Sequence, residues 1–290
     1  MVISDGKAGH LNQSLGLAEA LLRLHPSLQL KELPALPRGE ALRELLWPGG
    51  PRLRARLLIG AGHGTHLSLI ALRRREACPA VVLMKPSLPR ACFDLCIEPR
   101  HDGGEATMRR WLTDGPMNRV QPGASRDRSG LILIGGPSSH FSWDQDALLD
   151  QITALCDGET GWCLSTSRRT PRAFLDALRA RNITGLELVD CDTLDGSWLQ
   201  EQLPRAERCW VSPDSVSMVY EALTAGCAVG VFDLEAKSGS RVASSVADLD
   251  RRGLVTSFSR CLDGARPEPP ERPFAEADRI AAALVEHGWL

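Results

Sequence analysis

Short aliphatic and β-branched runs alternate with amphipathic stretches along nearly the whole chain, the pattern of βα units built into a parallel sheet with helices on both faces. In the first half the strands are expected at Val2–Ile3, Leu28–Leu33, Leu57–Ile59, Ala80–Met84 and Phe93–Ile97. Leu15, Ala18 and Leu22 share one helical face after Asn12, and Thr65 precedes a second helical run from Leu67 to Arg75. From Arg100 to Ser129 the periodicity fails as Gly, Pro, Arg and Asp crowd in, and a linker is expected over Gln121–Ser129. The alternation then restarts with strands at Leu131–Ile134, Trp162–Ser165, Leu186–Val189, Cys209–Val211 and Ala228–Phe232. Helices are expected between them at Asp146–Cys156, Pro171–Arg181, Ser197–Leu203 and Ser215–Ala225, and after them at Arg241–Arg251. The fold class is therefore α/β, with two Rossmann-like domains facing across a cleft, residues 1–124 and 125–274. A proline-rich stretch, Arg266–Pro273, leads to a C-terminal helix within 275–290 that could cross back onto either domain.

Composition narrows the function classes. At 290 residues the chain is long for one core and suits two domains of roughly 100–200 residues each. With 43% hydrophobic and 24% charged residues it has the makings of real cores. The 34 Lys and Arg are balanced by 36 Asp and Glu, which removes the electrostatic footprint of a dedicated nucleic-acid binder. A single Tyr and 5% aromatics leave few stacking platforms. The opening MVISDGKAGH lacks the pattern of a signal peptide, and no run reaches the roughly 18 apolar residues of a spanning helix. A cytoplasmic protein is expected, with membrane contact at most peripheral. The nine cysteines include no C-x-x-C pair and read as reduced core residues.

Five polar segments, the first three of them Gly-bearing, sit just after strands, where open parallel sheets place ligands: Ser4–His10, Gly60–His66, Gly135–Ser142, Thr166–Pro171 and Ser212–Ser217. None is a Walker A loop or a G-x-G-x-x-G fingerprint. The most informative stretch is Pro213–Phe232, where Asp214 or Ser215 can cap a helix whose N-terminus would receive a diphosphate. Glu221, about two turns along, is placed to accept hydrogen bonds from ribose hydroxyls, and Gly226 suits the helix end. Asp144-Gln145-Asp146 is a D-x-D triplet, but it fits the first turn of the following helix better than a Mg²⁺ site. No metal site and no resident cofactor is expected.

The order D-S-V-S-x-x-x-E-A-L-x-A-G resembles the nucleotide-sugar motif of glycosyltransferases with two facing Rossmann domains, the GT-B architecture. Together, SDGKAGHLNQSLGLAEAL, MKPSLP, FDLCIEPRHD, IGGPSSHFSWD, TSRRTP and EALTAGCAVG resemble the mitochondrial-fission "elongated mitochondria" family. Its bacterial members are described as glycosyltransferases, and plant members recruit a dynamin-like protein. The resemblance implies a metal-independent sugar transfer from a nucleotide-sugar donor to a glycan or lipid-linked acceptor. Two alternatives stay open: a nucleotide-sugar epimerase on the same scaffold, and a non-catalytic adaptor. On the transferase reading the donor is held by Gly135, Gly136, Ser138, Ser167, Arg168, Arg169, Asp214, Ser215, Val216, Ser217 and Glu221. Only one of the adjacent Arg168 and Arg169 is expected to bind, since neighbouring side chains point different ways. His10 is the first candidate for the acceptor base, facing the donor residues across the cleft, with Asp5 or His63 as its orienter or replacement. Lys7, His66 and Lys85 are expected on the acceptor side. Arg73, Arg74 and Arg75 are basic helical positions that could meet anionic lipid head groups.

Overall fold

The computed structural model describes residues 1–123, 128–156, 161–272 and 274–290. It divides into two compact units, Met1–Arg119 with Ala275–Leu290, and Val120–Phe274. Each unit contains a six-stranded, wholly parallel sheet, so the α/β double-Rossmann class read from the alternation is the class the chain adopts. The expected boundary at residues 124 and 125 falls on residues outside those described.

In the first unit β1 (Val2–Ser4), β2 (Glu32–Pro34), β3 (Leu58–Ala61), β4 (Ala80–Leu83), β5 (Leu95–Pro99) and β6 (Arg110–Thr113) lie in the order β2-β1-β3-β4-β5-β6. Alternate strand residues feed opposite faces, as a period of two requires. Val2, Ile59, Val81 and Ile97 pack under α1 (Ala8–Leu24) and α10 (Glu276–Glu286), while Ile3, Leu58, Val82 and Cys96 pack with Leu69 and Leu72 of α3 (His66–Glu76). The C-terminal helix therefore belongs to the first unit. A further helix, α2 (Arg38–Leu46), buries only Ala41.

In the second unit β7 (Arg128–Ile134), β8 (Trp162–Thr166), β9 (Leu186–Val189), β10 (Ala206–Val211), β11 (Ala228–Val231) and β12 (Thr256–Ser257) are ordered β12-β11-β10-β7-β8-β9. One face carries α4 (Gln145–Cys156) and α5 (Arg172–Ala180) against Ile132, Leu164 and Trp210. The other carries α7 (Val216–Ala225) and α8 (Arg241–Arg251), separated in sequence from α5 by the short α6 (Trp198–Gln202), against Leu133, Cys209 and Val231. A five-residue α9 (Phe258–Leu262) follows β12. All nine cysteines are free thiols, six of them buried.

The strand orders fix where chemistry can sit. Successive connections depart in opposite directions on either side of a switch point, which opens a crevice at the strands' carboxyl ends. In the first sheet that point lies between β1 and β3, and in the second between β7 and β10.

Candidate functional site

At the first switch point the loops after β1 and β3 interlock. The turn Asp5-Gly6-Lys7 is closed by the Lys7 amide, which donates to Asp5 Oδ1 at 3.2 Å. One helical turn into α1, His10 presents Nδ1 to Asp5 Oδ2 at 2.9 Å. The loop after β3 is shaped to this pair. A Cβ on Gly62 would lie 2.2 Å from His10 Cε1, and one on Gly64 would lie 2.7 Å from Asp5 Cβ. Gly62 also has φ +79° and ψ 160°, a conformation essentially confined to glycine. The GHG sequence thus bares its backbone so that a carboxylate and an imidazole can rest on it. The side chains are 7% exposed for Asp5 and 19% for His10, so the pair is sheltered but reachable.

Burial alone would push the Asp5 carboxyl up, but the hydrogen bonds from His10 and the Lys7 amide, with their charges, outweigh it and hold the group below the ordinary carboxylate range. An ionised carboxylate only accepts, so Nδ1 must carry the hydrogen. The neutral ring then keeps its lone pair on Nε2.

Of the other first-unit candidates, His63 is exposed beside the pair, and Lys7 and Lys85 are exposed in the turns after β1 and β4. His66 is turned inward. Its ring packs edge-on against Phe93 at 5.3 Å, its Nδ1 lies 3.2 Å from Ser87 Oγ, and 3% of the residue is exposed. Burial and the neighbouring His63 hold its imidazole below the ordinary value.

At the second switch point Asp214 is the keystone. Its side chain is 1% exposed, and its Oδ2 accepts from the Gly136 amide at 2.9 Å and from Arg169 Nη2 at 2.8 Å. Arg169 Nη1 in turn donates to the Gly136 carbonyl at 2.9 Å. Ser212 Oγ accepts from the Gly135 amide at 2.7 Å, and Ser167 Oγ donates to the Gly135 carbonyl at 2.8 Å. A Cβ on Gly135 would fall 2.1 Å from Asp214 Oδ2, so only glycine lets the loop lie on the carboxylate. Thr170 Oγ1 also donates to the Gly135 carbonyl.

This network corrects one expectation: neither Asp214 nor Ser215 caps α7 with its side chain. Ser215 occupies the N-cap without a side-chain hydrogen bond, and Asp214 is committed to the glycine loop. The first turn of α7, with Val216 half-buried and Ser217 exposed, therefore presents backbone amides unmasked by a cap. Arg169 is likewise committed to the loop. Arg168 is exposed and makes no hydrogen bond or ion pair among the described residues. Ser138 Oγ accepts from the amides of His140 and Phe141 at 3.1 and 3.3 Å, and the Ser138 carbonyl accepts from Lys237 Nζ at 2.8 Å. Glu221 is half-buried on α7. Asp144 Oδ1 caps α4 by accepting from the Ala147 amide at 3.0 Å, as the reading of the D-x-D triplet requires.

Sequence reasoning passed over Ser212, Thr170 and Lys237. Thr170 carried a signal, the S-x-x-T spacing in which the Ser167 amide donates to Thr170 Oγ1 at 2.9 Å. Ser212 and Lys237 act through partners 77 and 99 residues away, which no local pattern reveals.

Two parallel-sheet units in succession, each with polar loops at a switch point, place the chain in the double-Rossmann class to which GT-B glycosyltransferases and sugar-nucleotide epimerases belong. The UDP-GlcNAc 2-epimerase of Methanocaldococcus jannaschii shares the fold with a TM-score of 0.58 at 10% identity, over 98% of each chain. The S. aureus MnaA–UDP co-structure has a TM-score of 0.54 at 11% identity, over 99% of this chain and 95% of that one. The chain belongs to the mitochondrial fission ELM1 family, which it matches over residues 8–287. It is also 22% identical to the uncharacterized protein RP120 of Rickettsia prowazekii, over 98% of this chain and 96% of that protein.

Proposed function

We propose that the chain is a metal-independent glycosyltransferase that takes its sugar from a nucleotide donor. The observation that carries this reading is the glycine loop, locked by Asp214 and Arg169 beside the uncapped N-terminus of α7 at the second switch point. Such a crevice suits a diphosphate: the first-turn amides of α7 and the helix dipole meet the negative charge beside the rigid loop, and Arg168 is available to neutralise it as the leaving group departs. Glu221 accepts from the ribose hydroxyls of the same donor. Ser138, Ser167, Ser215 and Ser217 line the loops that hold it.

The Asp5–His10 pair supplies the other half of the reaction. His10 Nε2 takes the proton of an acceptor hydroxyl, the freed oxygen bonds to the anomeric carbon, and the bond from that carbon to the diphosphate oxygen breaks with its electron pair staying on phosphate. Asp5 holds the tautomer and stabilises the imidazolium that forms.

The test is donor-dependent release of nucleoside diphosphate in the presence of a chelator, with membrane glycolipid extracts and soluble glycans as acceptors. His10→Ala is expected to lower turnover by about 10²–10⁴ while leaving donor binding nearly intact. Turnover that survives this change moves the base to His63 or Asp5, and turnover abolished by the chelator overturns the metal-free reading. The epimerase reading is supported by the fold shared with the UDP-GlcNAc 2-epimerase above. Its signature is an epimeric sugar nucleotide formed without any acceptor. An adaptor would bind no nucleotide at all.

A further inference from the structure

The amino ends of three strands in the first sheet border a cavity that sugar transfer does not use. Met1 precedes β1, Lys31 precedes β2 and Leu57 precedes β3, and because these strands are parallel the three residues gather at the edge opposite the crevice. With the second half of α1 they border a cavity of about 390 Å³, within the range of roughly 300–1,000 Å³ usual for small-molecule sites. Its walls are aliphatic, with Leu21 and Leu22 contributed by α1 and Leu28 and Leu30 by the segment before β2. Among the described residues no aromatic side chain lines it.

The same cavity is cationic. Lys31, Arg54 and Arg56 line it, are exposed, and have no side-chain hydrogen bond or ion pair among the described residues. No Asp or Glu is among the described lining residues, and the Met1 ammonium donates to the Leu57 carbonyl at 2.7 Å. Even with the Leu290 carboxylate counted, positive charge is in excess. The segment that carries the two arginines is fastened down. Glu76, its side chain fully buried at the end of α3, accepts from the Leu53 amide at 2.8 Å and from Arg75 Nε at 3.0 Å. Arg54 keeps φ +57°, a conformation that a non-glycine residue holds where its surroundings impose it. The arginines at 73–75 that the sequence offered for anionic head groups are by contrast occupied: Arg73 pairs with Asp94, Arg74 donates to the Leu45 carbonyl, and Arg75 pairs with Glu44 and Glu76.

We infer that this cavity binds a free single-chain amphipathic carboxylate, its acyl chain along the leucine walls and its head on Arg54 and Arg56. Charge complementarity selects an anion, and the guanidinium fork suits a carboxylate. Aliphatic walls select a saturated chain over a nucleobase or a sugar face, for which no aromatic ring is supplied. The volume, near the low end of ligand cavities, suits one chain. The inference does not rest on the enzymatic reading, since cavity and crevice lie at opposite edges of the sheet.

The test is titration calorimetry of the intact chain with dodecanoate below its micellar concentration. Saturable one-to-one binding is expected. It should be at least ~10-fold weaker for hexanoate, whose shorter chain buries less, and absent for dodecyltrimethylammonium, which carries the same chain and the opposite charge. R54Q/R56Q is expected to weaken dodecanoate by about 10–100-fold through loss of charge-assisted hydrogen bonds, and these exposed positions leave folding intact. L22E, with folding checked by thermal melting, is expected to weaken it by at least ~10-fold, because a carboxylate on the wall repels the ligand. The inference is overturned if dodecanoate does not bind, if dodecyltrimethylammonium or hexanoate binds as tightly, or if R54Q/R56Q or folded L22E leaves the affinity unchanged. Competition by a nucleoside diphosphate would also overturn it, by moving the ligand to the crevice.

Discussion

Gly62→Ala is the sharpest perturbation of the first-unit site, because two separate costs fall on one atom. The backbone there, at φ +79° and ψ 160°, disfavours any L-residue by roughly 1–3 kcal/mol. The new Cβ would also lie 2.2 Å from Cε1 and 2.3 Å from Nδ1 of His10. The imidazole must swing away and give up its 2.9 Å hydrogen bond with Asp5, a loss of about 1 kcal/mol for a pair that keeps some contact with water. The single variant is thus expected to lose about 2–4 kcal/mol of local stability. In the double variant Gly62→Ala with His10→Ala the collision is gone and, relative to His10→Ala, only the backbone cost is added, so the two changes should couple by about 1 kcal/mol. Hydrogen-exchange protection of peptides covering Val2–His10 and Leu58–His66, in the wild type and the three variants, reads this coupling without a substrate. Additivity within about 0.5 kcal/mol would refute the claim that the glycine loop is shaped around His10.

In the second unit, Asp214→Asn is expected to weaken both stability and affinity for nucleoside diphosphates, since a buried carboxylate holding Gly136 and Arg169 becomes neutral; calorimetry and nucleotide titration together check this. Arg168→Ala should lower nucleotide affinity without moving the melting temperature, whereas Arg169→Ala should lower both, because it strands the buried Asp214. For His66, whose imidazole burial holds below its ordinary value, the unfolded chain takes up the proton more readily than the folded one. Its contribution to stability should therefore fall as pH drops below about 6.5, and His66→Gln should flatten the pH dependence of urea unfolding between about pH 5 and 7.

The sheets were legible because strands buried on both faces must be continuously apolar, and Leu131–Ile134 and Ala228–Val231 stand out on that ground alone. Four elements were not. Helix α2 is nine residues long and buries only Ala41, β6 lies in the Gly- and Arg-rich stretch where alternation fails, and β12 and α9, at two and five residues, are too short to show a period. The strand expected at Leu28–Leu33 forms instead at Glu32–Pro34, where Val2, Ile3 and Ser4 supply its register. At the site, the polar loops after strands announced themselves through position and composition. The division of labour within them did not. That Asp214 serves the glycine loop rather than the helix start, and that Arg169 rather than Arg168 joins it, depends on partners up to 78 residues apart. His66 shares its loop with exposed His63, but the 3.6-residue turn that begins at His66 carries its ring inward to Phe93.

The central claim, a nucleotide-diphosphate site at the second switch point, is tested most directly by titration calorimetry of the intact chain with a panel of nucleoside diphosphates, alongside folded Glu221→Ala. The expected result is saturable binding of at least one member, weakened about 5–30-fold in Glu221→Ala by loss of a charged hydrogen bond to ribose. Absence of binding across the panel, or an unchanged dissociation constant in the variant, would contradict it.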